Sequence, residues 1–172
     1  MSTLNSRRIS VKKFSFFLML ITRLSFPAGA INMLIFHHST ADYYLGGKVR
    51  VDGINLEQLT RELSLTPLQG EMTADFGTVE YRNRRLQSDG DMRINIFAGE
   101  VFICNLSTTD IFSSYRSFAA DIDLNGINLG QMTRTFEFGE INGTIDGYIH
   151  NMRLFGSTPS AFVAEISTRE QG

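Results

Sequence analysis

The sequence predicts a mainly β protein: a curved antiparallel sheet, or β-groove, built from repeats, with short capped helices packed against it and so some α+β character. Three observations carry this. The run Asp52-Gly53-Ile54-Asn55-Leu56-Glu57-Gln58-Leu59-Thr60-Arg61 recurs 73 residues later as Asn125-Gly126-Ile127-Asn128-Leu129-Gly130-Gln131-Met132-Thr133-Arg134, a self-similarity that marks an internal repeat. Apolar and polar residues alternate around and between the copies, the period of a half-buried strand. Glycine (15) and phenylalanine (14) are both abundant in 172 residues, which favours strands joined by turns.

At the N-terminus, Arg7, Arg8, Lys12 and Lys13 precede Phe14-Ser15-Phe16-Phe17-Leu18-Met19-Leu20-Ile21, and Ala28-Gly29-Ala30 follows. A basic region, an apolar run and small residues are the layout of a signal peptide, so 1–30 is expected to be a signal peptide or a membrane anchor. An anchor running on to Phe36 would bury Arg23 near mid-bilayer at about 2.5–3.5 kcal/mol, which favours cleavage after Ala30. The remainder, 31–172, reads as a single repeat-containing domain with copies at about 46–118 and 119–172, part of a longer architecture.

Each copy reads strand, tight glycine turn, short helix, glycine, strand, in a gapless register that extends back to Val49 and Val51 opposite Ile122 and Leu124 and forward to Gly70 and Gly143. The helices have a local cause. Asn55 and Asn128 are N-caps, and Gln58 and Gln131 at the third helical position complete a capping-box variant. Ile54 with Leu59, and Ile127 with Met132, occupy the positions of a hydrophobic staple. Leu56, Leu59 and Leu63 share a face, as do Leu129, Met132 and Phe136, so each helix is expected to lie on the sheet, being too short to stand alone in water.

Between the copies Met72, Ala74 and Phe76 alternate, then Val79 and Tyr81, then Met92, Ile94 and Ile96, then Val101 and Ile103. With Ala98-Gly99 as a two-residue turn, Ile96 would face Val101 and Ile94 would face Ile103, four aliphatics on one side of a hairpin whose other side carries Arg93, Asn95 and Glu100. After the second copy Ile141, Ile145 and Ile149 continue a strand interrupted by Gly143 and Gly147, and 156–160 turns the chain into a last strand at 161–168.

Chemistry-bearing patterns are few. With 16 basic and 18 acidic residues, net charge −2, nothing draws the chain to nucleic acid. The single cysteine, Cys104, excludes an internal disulfide and reads as an inert, partly buried thiol. Asp121, Asp123, Asn125 and Gly126 open like a calcium loop, but the twelfth position is Met132 rather than a bidentate Glu. His37 and His38 are adjacent and diverge in either secondary structure, and Glu137 with Glu140 reads as a solvated pair. Arg82, Arg84 and Arg85 with Asn83 read as a solvated hairpin tip or, alternatively, a contact for lipid head groups. No phosphate loop, nucleophile elbow or metal-ligand spacing occurs, so no enzyme, cofactor or metal is expected.

Over 75–168 the chain resembles the C-terminal repeat regions of AsmA-like proteins of Gram-negative bacteria, of the repeating β-groove lipid-transfer class. The resemblance rests on Phe76-Gly77-Thr78-Val79-Glu80-Tyr81, Ile94-Asn95-Ile96-Phe97-Ala98-Gly99-Glu100-Val101, Asp121-Ile122-Asp123-Leu124 through Ile127-Asn128-Leu129, Phe138-Gly139-Glu140-Ile141-Asn142-Gly143-Thr144-Ile145-Asp146-Gly147, and Pro159-Ser160-Ala161-Phe162. It implies a groove with an apolar inner face, a cell-envelope protein anchored in the inner membrane or periplasmic, and phospholipid as partner. Ile94, Ile96, Val101, Ile103, Ile122, Leu124, Ile145 and Ile149 are the expected groove lining. The alternative is a periplasmic scaffold that engages envelope proteins, such as outer-membrane clients, through an open sheet edge.

Overall fold

The computed structural model describes residues 17–26, 28–39, 43–111 and 113–169, with side chains at 17–22, 24, 26, 36–39, 43 and 44 outside the description. The order is β1 (Phe17–Phe26), β2 (Gly29–Ser39), β3 (Tyr43–Asn55), α1 (Leu56–Glu62), β4 (Gly70–Arg82), β5 (Arg85–Ser88), β6 (Asp91–Ile96), β7 (Gly99–Thr109), β8 (Ser117–Asn128), α2 (Leu129–Phe136), β9 (Thr144–Phe155) and β10 (Thr158–Arg169). All ten strands form one antiparallel meander in which each strand pairs with its neighbour in sequence, except that β5 and β6 share the lane between β4 and β7. Strand dominates the described residues. The class is mainly β with two short helices, as the alternation predicted.

β5 and β6 are one lane broken at Asp89 and Gly90, and the break lies on a line of irregularities that crosses the sheet. The β3–β4 register slips between Lys48 and Arg50. Gly77 in β4, Asn105 in β7 and Asn151 in β9 all take positive φ, at 56°, 54° and 53°, and the β7–β8 and β8–β9 ladders slip beside the two asparagines. Such bulges bend strands and sharpen their twist. The N–H groups they free are met by acids: Gly77 N donates to Asp75 Oδ1 (3.1 Å), Thr78 N to Asp89 Oδ1 (2.5 Å) and Asn151 N to Asp121 Oδ1 (2.6 Å). Asp121, in the run that opens like a calcium loop, is a strand position in β8 whose carboxylate caps a bulge.

The repeat is structural down to single hydrogen bonds. Asn55 Oδ1 accepts from Gln58 N (2.9 Å) and Asn128 Oδ1 from Gln131 N (2.8 Å). Gly53 and Gly126 both take positive φ, 54° and 64°, and Ser64 and Glu137 end the two helices in the left-handed region, each at φ 56°. The glycines differ from expectation in one respect: they are bulges inside β3 and β8, not turns between strand and helix. The reciprocal half of the capping box is also missing. The Asn55 and Asn128 amides donate instead to Ala28 O (2.7 Å) and Phe97 O (2.9 Å), the turns of the adjoining hairpins, so the glutamines have no amide left to receive.

The residues buried on each helix are Leu56 and Thr60 in α1 and Gly130 and Thr133 in α2. Leu59 packs against the Ile54 core, as the staple requires, whereas Leu63 and Phe136 are exposed because the helices end at Glu62 and Phe136. Ile141 also stands exposed in the loop before β9 rather than in a strand.

The hairpin between β6 and β7 turns at Phe97 and Ala98, both with positive φ, which makes Ile94 pair with Val101 and Met92 with Ile103. The expected pairing was off by two residues. Gly99 serves close approach instead of the turn, since a Cβ there would lie 2.5 Å from Asn125 O and Gly126 O. A slip of two preserves the faces, so the four aliphatics stay together.

The sheet begins inside the segment expected to target the chain. Residues 17–26 form β1, paired with β2 throughout, because a short apolar run fits a strand as readily as a leader core. Arg7, Arg8, Lys12 and Lys13 and the His37 and His38 side chains lie outside the description. Among the described residues no helix is long and apolar enough to cross a membrane.

Candidate functional site

In an antiparallel ladder directly opposed residues point to the same face, so the register places every predicted lining residue. Met72, Ile94, Val101 and Leu124 form one row across β4, β6, β7 and β8, and Ala74, Met92, Ile103, Ile122 and Ile149 form the next, which reaches β9. Ile96 extends β6 by one step on this face, between Gly70 and Gly99, and Ile145 stands opposite Ile127. All eight expected residues therefore share a single face of one sheet. The expected set omitted Met72, Ala74 and Met92, which belong to the same rows; their alternation was visible in the sequence, but their partners depended on the hairpin register.

None of the eight is fully buried; each is half-covered. The cause is the layering. α1 packs on β3 and β4 and α2 on β8, at the end of the sheet where both helices start. The buried cluster Ala28, Val51, Ile54 and Ala74 lies under α1, with Leu59, Met72, Phe76 and Met92 against it. Away from the helices the face continues as Leu86, Thr108, Phe118 and Leu154. Thr108 is buried there, its hydroxyl without a hydrogen-bond partner.

The opposite face is polar and paired. Arg50 holds Asp75 (Nη2 to Oδ2 2.5 Å), Arg93 reaches Glu100 (3.5 Å) and lies 4.8 Å over the Phe102 ring, and Arg169 pairs with Asp146. His150 Nε2 meets Asp123 Oδ1 at 2.8 Å, and its ring stacks on Tyr148, whose hydroxyl donates to Glu165 (3.1 Å). The Arg50 guanidinium and the Gly77 amide hold the Asp75 carboxyl below its ordinary range. The Asn105 side chain and the Asn151 amide do the same for Asp121. Burial, with Asp121, Asp123 and Asp91 nearby, pushes the Cys104 thiol up, which disfavours the thiolate a nucleophile needs. Concavities of about 370, 440, 390 and 420 Å³ open on this polar side.

Asn83 and Arg84 make the β4–β5 turn with positive φ, and Arg84 pairs with Asp110 at 2.5 Å. At the edge of the sheet β10 pairs with β9 alone among the described strands, and its Phe162, Val163 and Ile166 are all more than half exposed, at 59%, 56% and 59%. No protein-family model, curated protein or solved structure matches the chain.

Proposed function

We propose that this chain is a non-enzymatic lipid-binding segment that takes phospholipid acyl chains onto the apolar face of its sheet. The observation that carries the reading is the set of eight aliphatics in registered rows on one face, each keeping part of its surface exposed. A continuous apolar surface rimmed by polar residues is the kind that accepts a hydrophobic partner. Each acyl methylene moved from water onto it contributes about 0.8 kcal/mol, so affinity accrues along the chain without a specific polar contact. A long flexible ligand suits an extended apolar face, and bulges bend the strands they interrupt. The resemblance to AsmA-like repeats adds the setting: the cell envelope of a Gram-negative bacterium, inner-membrane anchored or periplasmic, with phospholipid moving between membranes.

Native mass spectrometry with lipid extraction, on the full chain purified from a Gram-negative host, tests this. Co-purifying phospholipid that disappears in Ile96→Asp, with the far-ultraviolet dichroism of the parent retained, supports acyl-chain binding. Ile96 suits the test because it lies at the end of a row beside two glycines. If Ile96→Asp unfolds the chain, that face is core and the groove fails.

The second reading, a scaffold that accepts a client strand, is favoured by β10 alone. It presents a full-length edge with three exposed hydrophobics, and unpaired edge backbone is what strand addition uses. A well-folded protein that carries no lipid would select it.

A further inference from the structure

We propose that the cavity at the end of the polar face remote from the helices binds a phosphate-type oxyanion between Arg85 and Arg153. The cavity, about 420 Å³, takes its polar lining from Arg85 of β5, Ser107 and Thr109 of β7, Ser117 of β8, Arg153 of β9 and Ser160 of β10, and the intervening Thr108, Phe118 and Leu154 also border it. Two registered rows build it. Arg85, Thr109, Ser117 and Phe155 oppose one another in turn across four strands, and Gln87, Ser107, Ala119 and Arg153 form the row beside them. These rows are on one face, with the arginines on the outer strands and hydroxyls on the floor. Arg85 and Arg153 stand three strand spacings and one row apart, about 16 Å between backbones, and both side chains are long enough to lean inward over that floor.

The chemistry is that of an anion cradle. No carboxylate is among the residues that frame the cavity. Arg153 makes no ion pair among the described residues, and Arg85 reaches only the Ser107 hydroxyl, at 3.5 Å, within the cavity. Glu80 and Asp89 line a neighbouring concavity on the far side of Arg85. Thr109 and Ser117 share a hydrogen bond at 2.5 Å, and Ser160 donates to Arg153 O at 3.1 Å, which fixes the floor and the β9–β10 wall. Two guanidinium forks over a hydroxyl floor match the oxygens of a phosphate monoester or of a phospholipid head group, since planar forks bind such oxyanions bidentately. The exposed Phe155 ring at one side gives the organic part of such a ligand an apolar wall. This site goes beyond the acyl-chain reading and does not rest on it, because it occupies the other face.

The test is titration of the isotope-labelled full chain with inorganic phosphate, followed by amide shifts in nuclear magnetic resonance. Saturable shifts at Arg85, Ser107, Ser117 and Arg153 are expected, with affinity falling about tenfold in Arg85→Gln or Arg153→Gln, the loss of a hydrogen bond to a charged group. Arg61→Gln, at the helix end and paired with Glu57, should bind as the parent does. Vesicles containing phosphatidic acid that bind in competition with phosphate identify a head-group site. Phosphate binding without vesicle binding identifies a soluble phosphorylated ligand, and both uphold the cradle. It is overturned if neither probe binds saturably, if the double variant Arg85→Gln/Arg153→Gln binds unchanged, or if Arg61→Gln weakens binding equally.

Discussion

The two copies of the β–α–β unit have the same skeleton and different interiors. Asn55 and Asn128 cap, Gly53 and Gly126 bulge, Ser64 and Glu137 terminate, and the buried hydroxyls of Thr60 and Thr133 accept the Leu68 and Ile141 amides at 3.1 and 3.4 Å. In the first copy Ile54 joins Ala28, Val51 and Ala74 in a core that Leu59 closes. In the second, Ile127 is buried at 4% exposure, but the helix end beyond it is a row of rings, Phe97 against Phe136 (6.0 Å) and Phe136 against Phe138 (6.3 Å), with Phe136 and Phe138 about half exposed. The difference teaches that backbone devices define the repeat. They satisfy obligatory hydrogen bonds and positive φ, whereas side-chain packing drifts with what each copy lies against.

The sharpest way to break this comparison is to empty the two cores. Ile54→Ala should cost about 3 kcal/mol and Ile127→Ala about 2 kcal/mol, since the first leaves its cavity inside a packed cluster. Urea unfolding of both variants measures this, and a larger loss at Ile127 would show the second copy to be the better packed. Next come the threonines. Thr60→Val removes a hydroxyl that donates to Leu56 O at 2.7 Å and receives Leu68 N, and should cost about 2 kcal/mol. Thr133→Val should cost about 1 kcal/mol, because its bonds to Gly130 O and from Ile141 N are long, 3.5 and 3.4 Å. Thermal melts of the pair check the order. The caps sharpen the comparison from the other side: Asn55→Ala and Asn128→Ala should cost the same, about 1 kcal/mol each, because the cap bonds have the same geometry in both copies. Unequal losses would show that packing, not capping, sets the helix starts.

The smallest expected effect is on acid stability. Asp75 in the first copy and Asp121 in the second are both depressed, the first chiefly by Arg50 and the second by Asn105. The folded state then binds protons less readily than the unfolded chain. The stability this gives is complete above the ordinary carboxylate value near 4 and fades as pH falls through the lower folded value. Melting temperature against pH should drop less steeply below about 4 in Asp75→Asn and in Asp121→Asn than in the parent. Profiles that overlay the parent's would remove both groups from the acid response.

The helix starts and the strand alternation were legible. Asn-x-x-Gln before an apolar turn announces a helix start wherever it occurs, and alternation announces strands, because both depend on residues within one turn or one pleat of each other. Thr60 and Thr133 were within the quoted repeat, and their recurrence at equivalent positions was the one available signal for the tie they make. The hairpin register was missed because Phe97 and Ala98 are unusual occupants of positive φ and the glycine after them invited a different turn.

By itself the sequence determined the antiparallel class, the two-copy repeat, the helix starts and the membership of one apolar face, since each follows from periodicity and local hydrogen bonding. Only the tertiary structure decided that Asp75, Asp89 and Asp121 cap a line of bulges, that residues 17–26 join the sheet, that the apolar face is left half-covered, and that Arg85 and Arg153 meet around one cavity. Each of these depends on which strands become neighbours, and residues brought together from distant parts of a chain leave no local pattern to read.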